Sequence, residues 1–84
     1  MASIQAIKIL VNGLVQGVGF RPTVYKVATT MNLNGWVKNT SQGVEIVLQT
    51  DCANEFINNL EMSLPLLASL DSVKTEPLIL TEAS

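Results

Sequence analysis

The sequence predicts an α+β fold, one small domain in which an antiparallel sheet of four strands carries two helices on one face, in chain order βαββαβ. Three observations predict it. Apolar residues alternate at every second position in two segments, Ile7, Ile9, Val11 and Val44, Ile46, Leu48, which is the period of a strand with one face toward a core. They recur at helical spacing in two others, Val24, Val27, Ala28, Met31 and Ala53, Phe56, Ile57, Leu60. Turn-forming residues separate these segments. A chain of 84 residues has room for one modest core and not for two, so the expected domain is 1–84.

The first strand is expected over Ile4 to Asn12. Gly13, Gly17 and Gly19 then break the pattern, and Pro22 stands where the first turn of a helix accepts it. The first helix is expected from Thr23, with its apolar stripe running to Met31; Asn32, Asn34 and Gly35 tolerate the left-handed stop that ends it. Trp36 to Asn39 form a short second strand, and Thr40-Ser41-Gln42-Gly43 is turn chemistry leading into a third. Thr50 or Asp51 is placed to cap a second helix, which Pro65 forbids from continuing. The last strand is expected over Leu70 to Glu76, with Pro77 ending or edging it and Leu78 to Leu80 left as an apolar tail without a partner. That tail reads as part of something longer. The order is the split βαβ, or ferredoxin-like, arrangement. Phe20 and Trp36 are expected to pack in the core, Glu45 and Glu55 to face solvent, and Cys52 to be inert near a helix start.

Composition narrows the function. Hydrophobic residues make up 48% of the chain and charged ones 14%, the balance of a packed globule. A net charge of -2 with five Lys and Arg gives no field to gather nucleic acid. With no His and one Cys, neither a metal site nor an internal disulfide is expected, no cofactor is implied, and proton transfer falls to carboxylates, water or the substrate. The lone cysteine suggests a cytoplasmic setting. No apolar run reaches the length of a membrane span, so no membrane partner is expected.

The segment that can carry chemistry is Gly13-Leu14-Val15-Gln16-Gly17-Val18-Gly19-Phe20-Arg21-Pro22. It joins a strand to a helix N-terminus, where free N–H groups and the helix dipole favour an anion. Arg21 adds a planar, permanently charged fork that matches phosphate. The spacing is neither a Walker loop nor a dinucleotide fingerprint, since no Gly-Lys-Ser/Thr ending follows and Pro22 replaces the third glycine. On spacing alone, a structural turn carrying an exposed Arg21 explains the loop equally well.

Val15-Gln16-Gly17-Val18-Gly19-Phe20-Arg21-Pro22 closely resembles the signature of the acylphosphatase family, V-Q-G-V-x-F-R. Gly35-Trp36-Val37-Lys38-Asn39-Thr40 and Gly43-Val44-Glu45-Ile46 resemble its second block. The resemblance implies that backbone N–H groups across Val15, Gln16, Gly17, Val18, Gly19, Phe20 and Arg21, together with the Arg21 side chain, bind the phosphate of a small acyl or carbamoyl phosphate. It implies that Asn39 positions the attacking water, which makes Arg21 and Asn39 the expected catalytic pair. Leu14 stands where free-standing members often carry a basic residue.

Within the family, Arg21-Pro22 and Leu64-Pro65-Leu66-Leu67-Ala68-Ser69-Leu70-Asp71-Ser72-Val73 look more like the N-terminal domain of the hydrogenase-maturation carbamoyltransferase HypF. The expected partners are then the substrate and the remaining domains of such an enzyme. Two further readings stand beside a carboxyl-phosphate hydrolase in that setting: a carbamoyl-phosphate-binding or interdomain module without turnover, and a free-standing acylphosphatase. An RNA-recognition domain of similar topology lacks the basic and aromatic residues its middle strands would need.

Overall fold

A computed structural model describes residues 3–81; residues 1–2 and 82–84 of the expected domain lie outside the described residues. The elements are β1 (Ser3–Leu14), α1 (Phe20–Thr30), β2 (Gly35–Thr40), β3 (Gly43–Leu48), α2 (Asn54–Met62) and β4 (Ser69–Thr81). The strands form one sheet in the order β2-β3-β1-β4, and every neighbouring pair is antiparallel. The expected α+β, βαββαβ architecture is the one observed.

The register explains the core. Val11 pairs with Val44, Ile9 with Ile46 and Ile7 with Leu48, so the alternating apolar residues of the two central strands form cross-strand rows on one face. Phe20, Val24, Val27 and Ala28 of α1, with Phe56 and Leu60 of α2, close over those rows as a single buried cluster. Each helix contributes the apolar stripe its sequence spells out. Phe56 is fully buried at the centre. Phe56→Ala is expected to remove about 3–5 kcal/mol from a total that is only about 5–15 kcal/mol for a domain of this kind, measurable as a large fall in the urea midpoint.

The stop of α1 is the expected one. Asn32 takes a left-handed φ of 57° and the Leu33 N–H donates to the Ala28 carbonyl at 2.8 Å, closing the end of the helix as a Schellman turn.

Five expectations need correction. The first helix starts at Phe20, not Thr23, because the uncapped turn after Gly19 is already helical. The second is capped by neither Thr50 nor Asp51: the Thr50 hydroxyl accepts from the Cys52 N–H at 3.3 Å and so closes a local turn, and α2 begins after Ala53 with no side-chain cap. Leu78 to Leu80 is not an unpartnered tail. β4 continues through Pro77 and pairs Leu78 with Ala6 and Leu80 with Ile4; a proline is tolerated because β4 is an edge strand, where an outward-facing position has no ladder bond to lose.

Trp36 is 46% exposed rather than core. Val37 packs toward the helices, and consecutive strand residues face opposite ways, so Trp36 falls on the sheet face that carries no helix. That face also holds Glu45, which is mostly covered rather than solvated: Lys38 lies 3.5 Å and Lys8 3.9 Å from its carboxylate. Lys8 also pairs with Glu76 at 3.2 Å, so charges of alternating sign cross all four strands. Among the described residues, no helix is long and apolar enough to cross a membrane.

Candidate functional site

Three connections gather at one end of the sheet. β1 and β2 both run antiparallel to β3, so the loop leaving β1 and the hairpin leaving β2 lie at the same end. β4 starts there too, with Ser69 paired to Leu14, which brings the α2–β4 connection alongside.

At this end β1 shifts register between Asn12 and Gly13, the kind of irregularity that re-aims a strand. The loop that follows is anchored at both ends, by buried Val15 and buried Phe20, with Val18 half-buried against the same core. Gln16, Gly17 and Gly19 are exposed. Gly17 and Gly19 take left-handed φ values of 75° and 83°, and successive amides around left-handed residues are the kind of backbone from which anion-binding concavities are built.

The constraint at Gly17 is purely conformational, because a Cβ there would meet nothing within 4 Å. Gly17→Ala is therefore expected to lower stability by about 1–2 kcal/mol, and Gly17→Asn, which tolerates left-handed backbone, to recover most of that in urea unfolding.

Gly19 is also the N-cap of α1 and provides no side-chain cap. Its carbonyl accepts from the Thr23 N–H at 3.3 Å and the Thr23 hydroxyl at 3.0 Å. The N–H groups of Phe20 and Arg21 ahead of that bond belong to the first turn, whose donors have no intrahelical partner, and Pro22 has none to offer. No acidic residue stands in this turn, so the positive end of the helix dipole is not neutralised locally.

Arg21 is exposed and, among the described residues, in no ion pair. Asn39 pairs with Val44, which pairs with Val11; as the second residue after Val37 it shares the helix-side face of the sheet. It is exposed. Arg21 and Asn39 thus converge on the same end of the molecule from elements separated by β3. Gln16 makes no side-chain hydrogen bond among the described residues. Pro65, read from sequence as a helix stop, stands against the loop: its Cγ is 3.9 Å from where a Gly19 Cβ would be. Sequence spacing carried no sign of that contact.

The sequence profile of the acylphosphatase family matches residues 7–82. The chain belongs to the acylphosphatase family. It is 42% identical over 81 residues to an acylphosphatase of Caldivirga maquilingensis, covering 92% of this chain and 84% of that one. It is 43% identical over 72 residues to a probable carbamoyltransferase HypF of Methanocaldococcus jannaschii, covering 83% of this chain and 9% of that protein. A crystal structure of full-length HypF in a phosphate- and nucleotide-bound form superposes with a TM-score of 0.82 at 34% identity, over 98% of this chain and 11% of that one. The chain therefore spans about a tenth of the length of the carbamoyltransferases it resembles and most of the length of the free-standing acylphosphatase.

Proposed function

We propose that this chain hydrolyses the carboxyl-phosphate bond of a small acyl or carbamoyl phosphate, as a single acylphosphatase domain. The observation that carries the reading is the coincidence, at one end of the sheet, of an uncapped helix N-terminus with two left-handed glycines, the exposed guanidinium of Arg21 and the carboxamide of Asn39.

Backbone N–H groups from Val15 to Arg21 hold the phosphate oxygens, and Arg21 offers two parallel donors to them. These fixed dipoles and the guanidinium meet the charge that spreads over the phosphoryl oxygens during transfer, and fixed positions make them effective without reorganisation. Asn39 orients a water in line with the bond that breaks. Its amide is not basic and the sequence contains no His, so the water's proton passes to a phosphate oxygen of the substrate. A carboxylate leaves readily and needs no protonation by the protein.

The deciding experiment measures inorganic phosphate released from benzoyl phosphate and from carbamoyl phosphate by the purified chain. Turnover of at least one is the expected result, and release from neither overturns the reading. The similarity to a HypF segment supports a second setting, in which the domain serves a larger carbamoyltransferase and the remaining domains of that enzyme are its partners. A strong preference for carbamoyl phosphate would favour that setting.

A further inference from the structure

The connection between α2 and β4 contains a hydrogen-bonded β-turn. The Ala68 N–H donates to the Pro65 carbonyl at 3.0 Å, which makes Leu66 and Leu67 its two central residues. Central turn positions ordinarily go to Pro, Asp, Asn, Ser or Gly. Here two leucines occupy them and stand in water, Leu66 98% and Leu67 69% exposed. The first residue of the turn stands beside the candidate site: Pro65 Cγ lies 3.9 Å from where a Gly19 Cβ would be.

Strand order fixes the side on which these leucines lie. With the sheet ordered β2-β3-β1-β4, the loop leaves β1, Asn39 sits on β2 to one side, and the leucine turn leads into β4 on the other. Phosphoryl transfer requires the attacking and leaving oxygens to be roughly in line on opposite sides of phosphorus. If water is held from the Asn39 side, the bond that breaks points toward the leucine turn. The water oxygen bonds to phosphorus as the bond from phosphorus to the acyl oxygen breaks; the electron pair leaves on the carboxylate, and the proton goes to a phosphate oxygen.

We infer that the Leu66–Leu67 turn is the subsite for the acyl group and selects acyl phosphates with an apolar acyl group, such as benzoyl, over acetyl or carbamoyl. This rests on the proposed hydrolysis with Asn39 as the water-positioning residue. The apolar group covers the two leucines and removes their side chains from water, whereas a small or polar group leaves them as they are.

The test compares the wild-type chain with the Leu66→Ser, Leu67→Ser double variant on benzoyl phosphate and acetyl phosphate. Both side chains are exposed, so the fold is retained. The expected result is a fall of about tenfold in kcat/KM for benzoyl phosphate, with acetyl phosphate unchanged within about twofold. An equal fall on both substrates, or a fall on neither, overturns the subsite. Amide NMR with the non-hydrolysable benzylphosphonate and methylphosphonate separates this inference from the function beneath it. Both probes are expected to shift Gly17 to Arg21, and only benzylphosphonate to shift Leu66 and Leu67. Loop shifts without leucine shifts overturn the subsite alone, and no loop shifts with either probe overturn the phosphate site itself.

Discussion

Arg21→Ala is expected to lower phosphate release from benzoyl phosphate by roughly a thousandfold or more, the scale on which a single guanidinium at a transferring phosphoryl group acts. The effect is large because the rest of the chain supplies little positive charge: there are five Lys and Arg in all and the net charge is -2, and Lys8 and Lys38 are engaged with carboxylates on the helix-free face of the sheet. Stability should stay put, since Arg21 is exposed and among the described residues forms no ion pair that its removal would break. Arg21→Lys restores a charge without the planar fork and should recover only part of the rate. The measurement is kcat/KM for the three proteins beside their urea midpoints; activity within tenfold of wild type in Arg21→Ala would remove the loop from the mechanism.

Asn39→Ala should produce a comparable loss of a different kind. If the carboxamide only orients water, kcat falls by about a hundredfold or more, while inhibition by inorganic phosphate, which reports the cradle, stays within a few-fold of wild type. The split between turnover and phosphate affinity is what tells a water-positioning residue from a phosphate ligand. A parallel loss of phosphate affinity would assign Asn39 to the cradle instead.

Much of this was legible in the sequence because two periodicities reported two surroundings. The alternation through Ile7, Ile9 and Val11 marked a strand with one face buried, and the stripe through Ala53, Phe56, Ile57 and Leu60 marked a helix lying on it. Asn32 announced the end of α1 through its tolerance of left-handed backbone. What escaped depended on tertiary placement. Pro77 looks like a terminator until β4 is known to be an edge strand. Trp36 looks like core until its parity with Val37 assigns it to the uncovered face. Thr50 looks like a cap until its hydroxyl is spent on Cys52.

The candidate site divides in the same way. Glycine spacing and Arg21 suggested an anion loop but left a plain structural turn equally open, and the family motif supplied the functional reading and Asn39. The structure adds the position of Asn39 across β3 from the loop strand. Leu66 and Leu67 lay in a stretch noticed only for its subfamily likeness, because side-chain exposure at a turn apex leaves no periodic trace.

The pairing of β1 with β4 joins residues from nearly opposite ends of the chain, Ser3 with Thr81 and Ile4 with Leu80. On a ribosome adding about 5–20 residues per second, β1 emerges well before its second partner, β4. β3 arrives in between and can zip onto one side of β1, leaving the other side a bare row of amide and carbonyl groups for several seconds. A nascent strand in that condition is open to pairing with other chains. The loop between β1 and α1 lies beside Pro65, just ahead of β4, so its surroundings are complete only once β4 has docked. Completion of the sheet then waits on β4, and truncation within that strand would yield chains that hold both helices and a sheet lacking one edge.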